Sequence, residues 1–185
     1  MHRQALINKL ENYNPEFEAE QEFRVRFLDF IKNNPDCFER TLLEGHITGS
    51  AWIVNHDRTK FLMTHHHKLD RWLQLGGHAD GDSDIINVAT NEALEESGLK
   101  SIKLIIQDIF DIDIHTIPAR KQDPEHLHYD VRFVFEADEQ EPLVVSNESK
   151  NLGWLTYEEL IKTCGENDSI FRMAEKTRRK SLLKN

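Results

Sequence analysis

Residues 91–100, NEALEESGLK, carry the first arrangement that ordinary structure does not explain. Glu92, Glu95 and Glu96 fall three and four positions apart or side by side, just before Gly98, a natural helix terminator. Like charges at these spacings repel, and a helix C-terminus already carries partial negative charge. Winding the segment at about 100° per residue puts Ile85, Val88 and Ala89 on one stripe, which should face the core. Glu92 and Glu96 continue that stripe and Glu95 flanks it, so the carboxylates point inward or into a cleft, where an unpaired charge is expensive. A solvated acidic helix end is the alternative, and the inward phase counts against it. A divalent cation resolves both the repulsion and the desolvation, and Mg²⁺ is the hard ion that a few carboxylates and substrate phosphates share.

Read in full, GGHADGDSDIINVATNEALEESGL resembles a Nudix box. That pattern asks for Gly, five residues, Glu, seven residues, Arg-Glu, an apolar residue, any residue, Glu-Glu, any residue, Gly and an apolar residue. Gly77, Glu92, Ala93, Glu95, Glu96, Gly98 and Leu99 stand at the required places, while Ser83 replaces the Glu and Asn91 the Arg. The resemblance implies an α/β fold, an α/β/α sandwich with a mixed β-sheet, and hydrolysis of a nucleoside diphosphate linked to another moiety. By position it makes Glu92, Glu95 and Glu96, with the Gly77 carbonyl, the ligands of Mg²⁺ or Mn²⁺, and gives Glu95 and Glu96 catalytic roles. Metal-generated hydroxide would attack phosphorus with no nucleophilic side chain. Two rivals share the fold: a binding module that has lost turnover through Ser83 and Asn91, and a diphosphate isomerase, whose catalytic cysteine has no counterpart here. Loss of both box charges together is what a compensated exchange would look like, with Asp82 able to supply a carboxylate nearby.

A diphosphate site needs a further carboxylate to accept a proton from water or hold a metal. Glu148, six residues before Trp154, is the candidate, and Glu125 is a weaker competitor. The run HLHYDVRF alternates, placing His126, His128, Asp130 and Arg132 on one strand face; the preceding run does the same with Asp111, Asp113 and His115. Paired antiparallel, these strands make a His/Asp/Arg wall that binds substrate phosphates, steadies a metal site, or simply faces solvent. His78 sits beside Gly77 and so near the phosphates. Trp72 is placed either to stack on a base or to pack the core. His65, His66 and His67 are consecutive on a strand and cannot all serve one metal.

The elements that must position these groups follow from pattern. Residues 1–45 read as a helical extension, with Phe23, Phe27, Phe30 and Ile31 on one stripe. Residues 46–185 form the catalytic domain: short β runs at 50–54, KFLMT and WLQL, the helix 84–97, long strands over KLIIQDIFDIDIHTI and HLHYDVRFVFEA, and two terminal helices, the second with a basic tail. At 185 residues one domain is expected. A formal charge of −10 argues against wrapping nucleic acid or lying on a membrane, and leaves a small nucleotide diphosphate as the expected partner. Two cysteines, Cys37 and Cys164, fit a reducing cytoplasm, no apolar run is long enough to span a membrane, and the N-terminal helices are suited to a homodimer contact.

Overall fold

A computed structural model describes residues 2–120, 124–165 and 167–179. Helices α1 (Gln4–Asn12) and α2 (Glu18–Asn33) precede strands β1 (Gly45–Val54), β2 (Lys60–His66), β3 (Arg71–Leu73) and β4 (Leu75–His78). Helix α3 (Ile85–Ser97) follows, then β5 (Lys103–Leu104), β6 (Asp111–Ile117), β7 (His126–Glu136), β8 (Ser149–Thr156) and helices α4 (Tyr157–Cys164) and α5 (Asp168–Arg179). The basic tail expected of the second terminal helix begins within α5, whose last turn holds Lys176, Arg178 and Arg179; residues from 180 onward lie outside the described residues, as does the middle of the 118–125 loop.

The eight strands form one mixed sheet in the order β3-β2-β1-β7-β5, with β4 also on β1, β6 on β7 and β8 on β2. β1 and β7 run parallel over ten residue pairs, from Gly45↔Leu127 to Val54↔Glu136. β1 is buried along its whole length because both of its faces are covered. Ile47 and Ile53, with Val131 and Phe133 of β7, pack under α1, α2 and α3 through Leu10, Phe27, Ile31, Ile85 and Ala89. Trp52, Val54 and Val134 on the opposite face pack under α4 and α5 through Leu160, Ile170 and Met173. The fold is therefore an α/β/α sandwich, as expected. The N-terminal helices share the sheet's own core: Phe30 stacks on Tyr129 at 3.9 Å and 5°.

The long strand expected over 103–117 is two strands. Ile105 N–H and Phe110 N–H still bond to β7, at the Val134 and Arg132 carbonyls, while the residues between them loop out. That loop buries Phe110 and delivers Asp111 to the interior opposite Arg132. Among the described residues no helix is long and apolar enough to cross a membrane.

Candidate active site

Helix α3 is set by its own ends. The Asp84 side chain accepts from Asn87 N–H at 3.2 Å, and Gly98 closes the helix in the left-handed conformation at φ 70°, its N–H returning to Leu94 O. Ile85, Val88, Ala89 and Ala93 are buried against the sheet, and the next turn brings Glu96 inside at 7% exposure and Glu92 half inside. Glu95, one residue short of Glu96, faces solvent.

The buried pair meets the end of β4. Glu96 Oε2 accepts from Gly76 N–H at 2.9 Å. Glu92 lies so close over Gly77 that a Cβ there would stand 2.4 Å from the Glu92 carboxyl carbon, which is why the position has no side chain. Burial, then the charges of Glu95 and Glu148, raise the Glu92 carboxyl above its ordinary range. Burial pushes Glu96 up to about 7, against the Gly76 hydrogen bond and with the help of Glu92 and Glu148. Glu148 itself is exposed, but its carbonyl accepts from His67 N–H at 2.7 Å, which ties its loop to the end of β2. Glu92, Glu96, Glu148 and Gly77 all line one cleft of about 510 Å³, and Glu95 does not. Converging, desolvated carboxylates that hold their protons too tightly are a donor set suited to a hard divalent cation.

No hydrogen bond joins Ser83 to Asn91, which is exposed. The turn before α3 is held one helical turn earlier: Asp82 accepts from Asn87 Nδ2 at 2.8 Å and from Asp84 N–H at 2.8 Å. Asp82 thus holds the turn that enters α3, with Asn87 as its side-chain amide partner.

The second wall of the cleft is made of histidine. β6 and β7 pair antiparallel with His115 opposite His128, β1 places His46 beside His128, and β4 places His78 opposite Thr48. The ring centroids of His46 lie 5.0 Å from His78, 4.9 Å from His126 and 4.9 Å from His128. Burial, reinforced by the neighbouring imidazoles, lowers His46 to about 4 and His128 to about 2, and burial with the Arg40 charge lowers His78. These rings are neutral at physiological pH. His46 was not among the residues anticipated from sequence; its only signal is the same-face series His46, Thr48 and Ser50 on β1.

Asp130 forms the floor between the walls. It accepts from Thr48 Oγ1 at 2.9 Å and Ser50 Oγ at 2.8 Å on one oxygen, and from Gln74 at 3.2 Å and Arg132 Nε at 2.7 Å on the other. Arg132, expected on the same substrate-facing wall, is instead beneath it. The guanidinium is 2% exposed, salt-bridged to Asp111, Asp113 and Asp130, and does not line the cleft. β7 alternates as expected, but α5 covers this end of the face: Arg172 and Lys176 also reach Asp111. Trp72 lies outside the lining too, stacked on His65 at 5.3 Å, and exposed Glu125 is likewise outside it, although its neighbours Pro124 and His126 are part of it.

No protein-family model matches the chain, and no curated protein matches it. Solved structures do. A C. elegans Ap4A hydrolase in a binary complex superposes with a TM-score of 0.53 at 16% identity, over 71% of this chain and 94% of that one. A Nudix-family hydrolase from Clostridium perfringens gives 0.50 at 26% identity, over 72% and 96%. The E. coli dihydroneopterin triphosphate pyrophosphohydrolase gives 0.56 at 14% identity, over 70% and 92%. The chain has the Nudix fold.

Proposed function

We propose that the protein is a metal-dependent pyrophosphohydrolase that cleaves the diphosphate bond of a nucleoside diphosphate linked to another moiety. One observation carries the reading: Glu92, Glu96 and Glu148 line one cleft, and the two on α3 are held there against burial and mutual repulsion, a cost that a bound divalent cation would relieve. Fold neighbours named as an Ap4A hydrolase and as a dihydroneopterin triphosphate pyrophosphohydrolase support a pyrophosphohydrolase.

Glu92 and Glu96, with the Gly77 carbonyl beside them, would hold Mg²⁺ or Mn²⁺, and Glu95 stands at the solvent side of the same turn. The ion, when bound, activates water and neutralises charge on the diphosphate. The remaining tasks fall to the chain. Glu148, on an exposed loop at the cleft, would take the proton from water. Arg40, Lys68 and Arg120 line the cleft and supply positive charge to the phosphate oxygens. Gly76 N–H fixes the Glu96 carboxylate, so that its orientation is set before any ligand arrives.

Phosphate and nucleotide release from a panel of nucleoside diphosphate derivatives, read by mass spectrometry with and without Mg²⁺, tests this. Turnover should require the divalent ion, and Glu96→Gln should lose nearly all of it together with most of the metal-induced rise in melting temperature. Inactivity across the panel with retained nucleotide binding would favour the binding-module reading, which the missing box charges at Ser83 and Asn91 support.

A further inference from the structure

We propose a second metal site, for a transition cation of the Zn²⁺ class, formed by His46, His78 and His128 on the histidine wall of the cleft. One nitrogen from each ring lies within 4.8 Å of the others. All three residues line the cleft. They come from three neighbouring strands whose registers are fixed by backbone pairing, so the cluster is held by the sheet and not by mobile loops.

An independent observation concerns His46. It is 3% exposed, and neither ring nitrogen has a hydrogen-bond partner among the described residues. The Leu42 backbone lies near the ring, but a single backbone group can serve only one of the two nitrogens. A buried polar atom left unpaired costs about 1–3 kcal/mol, which natural interiors rarely tolerate without a reason. A coordinate bond to a metal supplies the missing partner. The bland alternative, a chain of imidazoles bonded to one another, describes His126 and His128, whose Nε2 atoms are 3.3 Å apart, but still leaves a buried nitrogen of His46 to be satisfied.

The chemistry of the donors selects the ion. Three neutral imidazole nitrogens suit Zn²⁺ and its first-row neighbours, whereas Mg²⁺ takes oxygen. A ligating histidine must be unprotonated, so uptake should weaken as pH falls. Tetrahedral zinc at about 2.0–2.1 Å from nitrogen spaces its ligands about 3.4 Å apart. The rings must therefore close inward by roughly an ångström, within the soft range of imidazole χ2 rotation. Three protein ligands leave a coordination position open to the cleft, the pattern of zinc sites that bind an exchangeable oxygen ligand.

The site is independent of the glutamate reading, and the test separates the two. Full-length protein is stripped with chelator, saturated with Mg²⁺ and titrated with Zn²⁺ by calorimetry, with circular dichroism to confirm folding. Wild type and Glu96→Gln should each take up one equivalent of Zn²⁺ in the presence of Mg²⁺. His46→Gln and His78→Gln should weaken uptake by at least ~10²-fold, since even orienting groups around metal ligands are worth about 10–100-fold. If His46→Gln fails to fold, the half-buried His78→Gln decides. No stoichiometric uptake by wild type, unchanged uptake by folded His78→Gln, or loss of uptake in Glu96→Gln would each overturn the proposal.

Discussion

Replacing Gly77 with alanine should separate chemistry from stability. The new Cβ would stand 2.4 Å from the Glu92 carboxyl carbon and 2.4 and 2.6 Å from its oxygens, where ordinary contact begins at 3.4 Å. The carboxylate must retreat by about 1 Å. It is the far end of a flexible, half-buried side chain, so the retreat needs only an off-rotamer adjustment of about 0.5–1.5 kcal/mol. For a chain of this size that is a fall of no more than about 6 °C in melting temperature. A misplacement of 1 Å in a catalytic constellation costs about 10²-fold in rate. Gly76→Ala is the control, because its Cβ would meet the β1 backbone at 2.7 Å from both Gly49 O and Ser50 Cα, atoms that cannot withdraw without disturbing the sheet. Gly77→Ala should therefore melt close to wild type while kcat/KM with Mg²⁺ falls about 10²-fold, and Gly76→Ala should lose stability outright. Wild-type kcat/KM in Gly77→Ala, or unfolding of both variants alike, would refute the placement of Glu92 at the reacting centre.

Glu148→Gln should lower kcat by roughly 10²-fold or more with KM and melting temperature little changed, because the side chain is exposed and its assigned task is proton transfer; steady-state kinetics on the best panel substrate reads this. Lys176 is fully buried, with Nζ on Glu20, on Asp111 at 2.8 Å and on Tyr13 Oη at 2.9 Å, so Lys176→Met strands two carboxylates and should cost about 3–5 kcal/mol, read by urea denaturation. A companion Glu20→Gln change should recover part of that loss, and a loss below about 1 kcal/mol would mean that the network is not held as described. Burial alone would raise the Asp111 carboxyl, but Arg172, Lys176 and Arg132 outweigh it and hold it below the usual carboxylate range. A depressed folded value contributes stability that is present above pH ~4 and lost as pH falls through it, so wild type should resist acid until below the ordinary carboxylate range. Acid titration by circular dichroism of Asp111→Asn should show that this low-pH transition is lost or displaced.

What was legible in the sequence was local. The apolar stripe and terminal glycine of α3 are set by a helical period, and the residues that cap it are adjacent in the chain. The sequence pattern predicts all three carboxylates turned inward, but Glu95 only flanks the stripe of Glu92 and Glu96: neighbours on a helix point in different directions, so Glu96 is at 7% exposure and Glu95 faces solvent. Alternation in β7 correctly assigned His126, His128, Asp130 and Arg132 to one face. Alternation says which face, but not where along it a helix sits. α5 covers the strand at Arg132 and leaves it open at His128, so one series of polar residues runs from cleft to core. His46 was illegible for a different reason. It meets His128 only because β1 and β7 pair in parallel across some eighty residues of intervening chain, a choice made by the whole sheet and invisible in either strand.

The same topology connects the cleft to both ends of the protein. Asp130 holds Thr48, Ser50 and Gln74 at the floor and Arg132 behind it. Arg132 passes to Asp111, and Asp111 to Arg172 and Lys176 of α5. Lys176 reaches Glu20 and Tyr13 in the N-terminal helical segment. Among the described residues this network joins the carboxylates of Glu20, Asp111, Asp113 and Asp130 to only three cations, Arg132, Arg172 and Lys176. The excess is negative and lies directly behind the histidine wall, where His115 touches Asp113 at 3.2 Å. A cation held on that wall would face the one carboxylate charge the core leaves unbalanced, while Arg40, Lys68 and Arg120 offer the cleft their positive charge from its lining. Buried negative charge near this wall adds to the geometry of the three rings in favouring a cation there, while the basic side chains of the lining are the groups suited to phosphate.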